Sequence, residues 1–240
     1  MRKLRVAVSI ATVMAAALTG CASNPPPKPY GTESVLSLPA DRHAVWAVAP
    51  TINLSGQRPV DPLLESDLVF GQLQTVQGVI AIPVNRVVEV YLALRIDKVQ
   101  SQDQANLVCD LLGCDGLIVP TVTIYDPYDP PKLGAALQLF IKPGAYARPV
   151  GLDAHQLTQQ AAASASESVA AASGLVQAVG VYDAANGSVR QAVTTFAQGR
   201  FDPNSPYAAR EYIVSMDGFS GFVYHDLIGQ LLASPQLAGA

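Results

Sequence analysis

Apolar runs and polar interruptions alternate through residues 44–233 in a rhythm that predicts strands and helices in turn. Residues 44–49 (Ala-Val-Trp-Ala-Val-Ala) form a short apolar run stopped by Pro50, the signature of a buried strand. Residues 53–57 read as loop. Asp61 followed by Pro62 predicts a helix start: the carboxylate serves free N–H groups, and proline has none to leave unpaired. Leu64, Leu68, Val69, Leu73 and Val76 give that helix an apolar face, and Gly78 is its expected end. Residues 79–82, bounded by Pro83, predict a second strand. Asn85 is the expected cap of a second helix with Val88, Tyr91 and Leu92 on one side.

Ser101 and Gln104 form a capping box for a third helix, whose predicted buried stripe is Leu107, Val108, Leu111 and Leu112. Gly113 stands where a left-handed C-terminal cap belongs. In such a cap Cys109 and Cys114 occupy positions that normally touch, so a disulfide and a pair of packed thiols both fit. Residues 116–125 predict a long β-branched strand in which Pro120 implies an edge or a bulge. After a Pro/Asp turn at 126–131, Leu133, Ala135, Leu137, Leu139 and Ile141 alternate as another strand.

Residues 143–173 change character into a low-complexity Ala/Ser/Gln excursion with little to bury. Residues 175–182 and 189–196 then flank Asn186-Gly187, a dipeptide that predicts a hairpin. Residues 207–233 place Ile213, Met216, Val223, Leu227 and Leu231 at helical spacing, and Gly218 and Gly221 are expected to divide them into two helices. Helices alternating with strands imply one α/β domain, a mixed β-sheet flanked by helices over 44–233, with a tail at 234–240.

The N-terminus adds an address. Arg2, Lys3 and Arg5 precede an apolar stretch too short to span a bilayer, as in a secretory signal. Leu18-Thr19-Gly20-Cys21 resembles the bacterial lipoprotein signal, which implies removal of residues 1–20 and lipidation of Cys21. Ala22 stands where the sorting pattern uses aspartate for inner-membrane retention, so the resemblance implies the outer membrane, facing the periplasm. Residues 21–43, with Pro25, Pro26, Pro27 and Pro29, read as an extended tether.

Composition narrows the partners. Of fifteen basic residues three precede Cys21, leaving twelve against nineteen acidic ones, a formal charge of −7. An acidic chain without a Lys/Arg cluster is poorly suited to nucleic acid, whose binding rests on phosphate neutralisation. Charged residues are 14% of the chain against roughly 25% in an average domain. Such a chain has a well-filled core or surfaces that face partners.

Reaction chemistry is not legible. His43, His155 and His225 stand in three separate contexts, and no HExxH pair, P-loop or nucleophile elbow is present. Asp126 and Asp129 read as turn residues, and Asp110 and Asp115 as solvated groups at a helix end. Trp46, Tyr125 and Tyr128 are candidate interface anchors. No catalytic residue, cofactor or metal site is expected.

Three stretches carry a family resemblance: residues 46–50 with 53–56, residues 112–118 (Leu-Gly-Cys-Asp-Gly-Leu-Ile), and residues 181–183 with 187–189. They resemble the envelope lipoproteins that include the curli secretion lipoprotein, the lipoprotein activators of penicillin-binding proteins and the N-terminal domain of the translocation protein TolB. The resemblance covers roughly residues 44–142 and 174–233. It departs at Pro120, where the group carries glycine, and at 143–173, which lack the alternation of a pore hairpin. It implies an α/β fold and a lipid-anchored envelope protein that binds another envelope protein and is not an enzyme. The alternatives are an oligomeric secretion or assembly component, and a hydrolase whose site is assembled from distant residues.

Overall fold

The computed structural model describes residues 28–39, 42–145, 174–202 and 204–238; Cys21, the signal, His155 and most of the low-complexity excursion lie outside them. Six strands form one sheet: β1 (Ala44–Val48), β2 (Ile52–Asn53), β3 (Val79–Ile82), β4 (Gly116–Asp126), β5 (Lys132–Ile141) and β6 (Leu175–Asp183). Their order is β3-β1-β4-β5-β6, with β2 beside β4. The pairs β1–β3, β1–β4 and β2–β4 are parallel, whereas β4–β5 and β5–β6 are antiparallel. The expected mixed sheet is therefore present.

Pro120 is neither at an edge nor in a bulge. It lies inside β4, which has neighbours on both sides. Ala49 N donates to Ile118 O at 2.8 Å and Leu54 N to Val122 O at 2.8 Å, so even-numbered residues of β4 turn toward β1 and β2. Between them Pro120 faces the interruption at Pro50, where a missing N–H deprives no neighbour. The register shift falls later, between Val122 and Ile124.

Local chemistry sets the helices. In α1 (Pro62–Leu73) the Asp61 carboxylate accepts from Leu63 N at 2.9 Å and Leu64 N at 3.3 Å. That helix ends at Leu73, and Gly78 instead supplies the positive φ of 87° that leads into β3. Helix α2 (Val84–Leu94) starts at Val84 without a side-chain cap, so Asn85 lies inside it; Val84, Val87 and Tyr91 are buried while Leu92 is exposed. Helix α3 (Gln102–Leu112) has the expected caps: Ser101 Oγ accepts from Gln104 N, and Gly113 is left-handed at φ 69°. Its buried stripe is Ala105, Val108 and Cys109, with Leu107 and Leu111 outside. Small residues at 105 and 109 let the helix sit close on the sheet.

The Asn186-Gly187 hairpin is not formed. Asn186 keeps φ at −76° and its side-chain oxygen accepts from Ser188 N, which starts α4 (Gly187–Ala197). A short 3-10 turn (Ala208–Arg210) leads into α5 (Glu211–Val214), then α6 (Met216–Leu232) and α7 (Pro235–Ala238). The break falls at Ser215, whose hydroxyl caps α6 by accepting from Gly218 N at 3.3 Å. Gly218 does not end a helix; it admits the Tyr212 backbone, whose Cα would lie 3.2 Å from an added Cβ.

One face of the sheet carries the main core. Trp46, Ile118, Leu137 and Leu139 pack there against Val69, Leu73, Phe219, Leu227 and Ile228 from α1 and α6, with Val193 from α4. On the opposite face α2 and α3 cover Ala47, Ala49, Leu117 and Val119, the β1 side and the first half of β4. The later part of the expected tether lies on the body. Gly31 N donates to Gly199 O at 2.6 Å, Gln77 N to Leu36 O at 2.8 Å and Leu38 N to Gln77 O at 2.9 Å, and Leu38 is buried.

Candidate functional site

Beyond the ends of α2 and α3, no described helix lies over the rest of the sheet face they pack on. The register aligns Thr121 with Ala136 and Val179, and Ile124 with Gly134 and Val181, on this face. Val179 is 60% exposed and Val181 58%. These neighbours make an apolar strip across three strands. Thr123 and Ile124 fold over β5 at Gly134, where an added Cβ would lie 2.9 Å from Thr123 Oγ1.

The strip ends on β6, which is an edge strand among the described residues. Ile141 N donates to Gly174 O at 2.6 Å and Ala184 N to Pro131 O at 3.0 Å, so the even-numbered positions of this stretch face β5. Leu175, Gln177, Val179 and Val181 consequently turn backbone N–H and C=O groups outward. Strand β6 contains no proline or lysine, the common guards of an edge, and its first charge is Asp183. Asp183 pairs with Lys132 at 3.0 Å, and this neighbour holds its carboxyl below the usual range. The other edge, β3, is only four residues long and runs into Pro83.

A depression of about 470 Å³ adjoins the strip, lined by Ser55, Gln57, Thr123, Ile124, Tyr128 and Lys132 among others. Tyr128 at the β4–β5 turn is 80% exposed and Leu54 66%. Of the three candidate aromatic anchors only Tyr128 is free to meet a partner. Trp46 is fully buried, and Tyr125 packs against the main core.

The other singled-out residues are dispersed. Cys21 lies outside the described residues. Cys109 and Cys114 are free, buried thiols in contact under α3. The hydrogen bond they share and their burial push the Cys109 thiol above its ordinary value. Cys114 N donates to Cys109 O at 3.0 Å, the backbone link of the left-handed cap. His43 is exposed, whereas His225 packs 5.0 Å from the Phe196 ring, and burial there lowers its pKa to about 4. Asp126 accepts from Tyr128 N at 3.2 Å as a turn residue. Neither Asp110 nor Asp115 is simply solvated: Asp110 pairs with Lys142, and Asp115 accepts from Val45 N at 2.8 Å, tying β1 to the start of β4. Glu65 is buried in α1 and accepts from the Tyr224 hydroxyl at 2.5 Å; desolvation raises its pKa. Among the described residues no group of three or more His, Cys, Asp or Glu is placed to hold a metal ion.

Sequence reasoning passed over Val179 and Val181. Their signal was available: residues 175–182 are apolar at both parities, so both faces of β6 favour burial. Only one meets a described helix.

No protein-family model matches the chain, and no curated protein does. Solved structures show partial similarity. The C-terminal domain of LpoB from Salmonella enterica is 11% identical, with 42% of this chain and 73% of that one covered and a TM-score of 0.35. Lipoprotein GNA1162 from Neisseria meningitidis is 15% identical over 52% of this chain and 96% of that one, TM-score 0.34. The hypothetical protein CT253 from Chlamydia trachomatis is 8% identical over 82% and 99%, TM-score 0.40.

Proposed function

We propose that this chain is a lipid-anchored protein of the bacterial outer membrane whose body faces the periplasm and binds another envelope protein, with no chemistry of its own. Cys21 is the residue that carries the lipid. The observation that supports binding is the uncovered strip of Ile124, Val179 and Val181 ending on the unguarded edge of β6. An extended partner segment laid antiparallel to β6 receives the outward backbone groups of Gln177, Val179 and Val181, with apolar side chains against the strip. Tyr128 anchors the margin. The acidic body favours a neutral or basic segment.

Lysine placed at Val179 and Val181 tests the surface, because it guards the edge and charges the strip without entering the core. The double variant is expected to fold and reach the membrane yet lose its crosslinked envelope partner. Retention of the same partner at the wild-type level contradicts the reading. Cys21→Ala tests the anchor separately: the body should appear folded in the soluble periplasmic fraction, and membrane retention of that variant would remove Cys21 from the account.

A further inference from the structure

From Pro29 onward the chain is held on the body. Thr32 N and Thr32 Oγ1 both donate to Pro29 O, at 3.2 and 2.6 Å, and Gly31 N donates to Gly199 O at 2.6 Å. Arg200 Nη2 donates to Ser34 O at 3.2 Å. Gly199 lets this closing segment seat, because its φ is +82° and a Cβ there would lie 2.7 Å from Glu33 N. The tether from Cys21 therefore ends at Lys28, seven residues on, rather than running to residue 43. Seven residues span at most about 25 Å. A body of this length is roughly 40 Å across, so the lipid end cannot pass round to its far side.

The end of the body from which the tether leaves has its own surface character. The closing segment meets the C-terminal end of α4, and the 3-10 turn and α5 lie against the same place. Each of the three converging segments shows an apolar or aromatic side chain to solvent: Tyr30 is 67% exposed, Tyr207 57% and Val214 51%. Charge sets this end apart as well. Residues 28–34 and 198–214 carry Lys28, Arg200 and Arg210 against Glu33, Asp202 and Glu211 and are neutral, so the whole formal charge of −7 after Cys21 lies elsewhere. Anionic headgroups repel the rest of the body more than this end. Tyrosine, an apolar ring with a polar tip, suits the boundary between lipid and water.

Given the lipid on Cys21 that the proposed function assigns, we infer that residues 28–34, the 3-10 turn and α5 form a docking surface for the lipid headgroups around the anchor, with Tyr30 and Tyr207 at the boundary. A weak contact is enough. The short tether makes docking intramolecular, at an effective concentration on the order of millimolar. Helix α4 packs on the main-core face of the sheet and the open strip lies on the other face, so the docked body turns the strip away from the membrane.

The test uses the lipidated full chain in vesicles of phosphatidylethanolamine with a minor share of phosphatidylglycerol, some of it carrying a headgroup nitroxide. A fluorophore is placed in turn through Tyr30→Cys, Tyr207→Cys, Val214→Cys, Leu92→Cys and Val179→Cys; Cys109 and Cys114 are buried and do not compete for it. Quenching at positions 30, 207 and 214 should exceed that at 92 and 179 by at least about twofold. Adding Tyr30→Asp with Tyr207→Asp should lower quenching at position 214 by about twofold or more, because charge replaces the boundary rings. The comparison among positions carries the test if that variant fails to fold. Intact mass separates the two readings. A chain without the lipid overturns the anchor at Cys21 and the docking with it. A lipidated chain quenched equally at all positions, or more strongly at 92 or 179, leaves the anchor standing and overturns the docking alone.

Discussion

The two halves of one sheet face differ in what covers them. Over Ala47, Leu117 and Val119, helices α2 and α3 bring Val87, Tyr91, Val108 and Cys109 into contact, and almost no apolar surface is left to water. Over Thr121, Ala136, Val179 and Val181 no described helix lies, and two valines stand more than half exposed on an edge strand. Both halves carry apolar side chains, Val119 in one and Val179 and Val181 in the other. Their exposure is set by whether a helix lies over them, and over the second half no described helix does.

Breaking the opposite face, which α1 and α6 cover with the main core, should cost the most. Trp46 is fully enclosed between β3 and β4 under the main core, so Trp46→Ala should lower stability by about 3–5 kcal/mol in chemical denaturation. A loss below about 1 kcal/mol would mean that the core does not rest on this ring.

The same side holds buried ionisable groups, which give it a pH signature. His225 has its folded pKa lowered to about 4 from 6.5, so the native state binds fewer protons and the stabilising effect is present above pH 6.5. It is lost as pH falls toward 4, by roughly 2 kcal/mol once solvent screening is discounted. Glu65 acts in the opposite sense. Its raised pKa favours the fold at acid pH, and that contribution fades as pH rises above 4.5. Denaturation curves from pH 4 to 8 should therefore lose their acid slope in His225→Gln and their alkaline slope in Glu65→Gln. Slopes unchanged in both variants would remove these groups from the balance.

Gly199→Ala sharpens the comparison at the closing segment. An L-residue at φ +82° is strained by about 1–2 kcal/mol, and its Cβ meets the backbone of residues 32–33. Thermal unfolding should shift down accordingly, with faster proteolysis around residues 28–34. The smallest effect belongs to the open half. Val179→Thr, which touches no core, should change stability by no more than about 0.5 kcal/mol. A large loss there would show that the strip is covered within the chain.

Much of the fold was legible because single side chains carry their own local physics. Asp61 before Pro62 and Ser101 with Gly113 mark helix ends by satisfying particular N–H and C=O groups, and each does so in the structure. Asn186-Gly187 misled because the dipeptide serves two geometries. A hairpin needs positive φ at both residues, whereas a cap needs only the Asn side chain, and Val189, Val193 and Phe196 at helical spacing decide for the helix. Pro120 misled because the gap it faces belongs to other strands, set by Pro50. The open strip was not legible for a related reason. Exposure of Val179 depends on where α3 ends over the sheet, a tertiary fact that no spacing within β6 contains.

The direct test places a photocrosslinking residue at position 179 in the full chain, in native envelopes, with position 92 on the covered half as the control. Leu92 is 73% exposed, so the two probes are about equally accessible. A discrete adduct from position 179 and none from position 92 is the predicted result. Adducts of equal yield from both positions, or none from position 179, would contradict the claim that the uncovered half of the sheet is where this protein meets its partner.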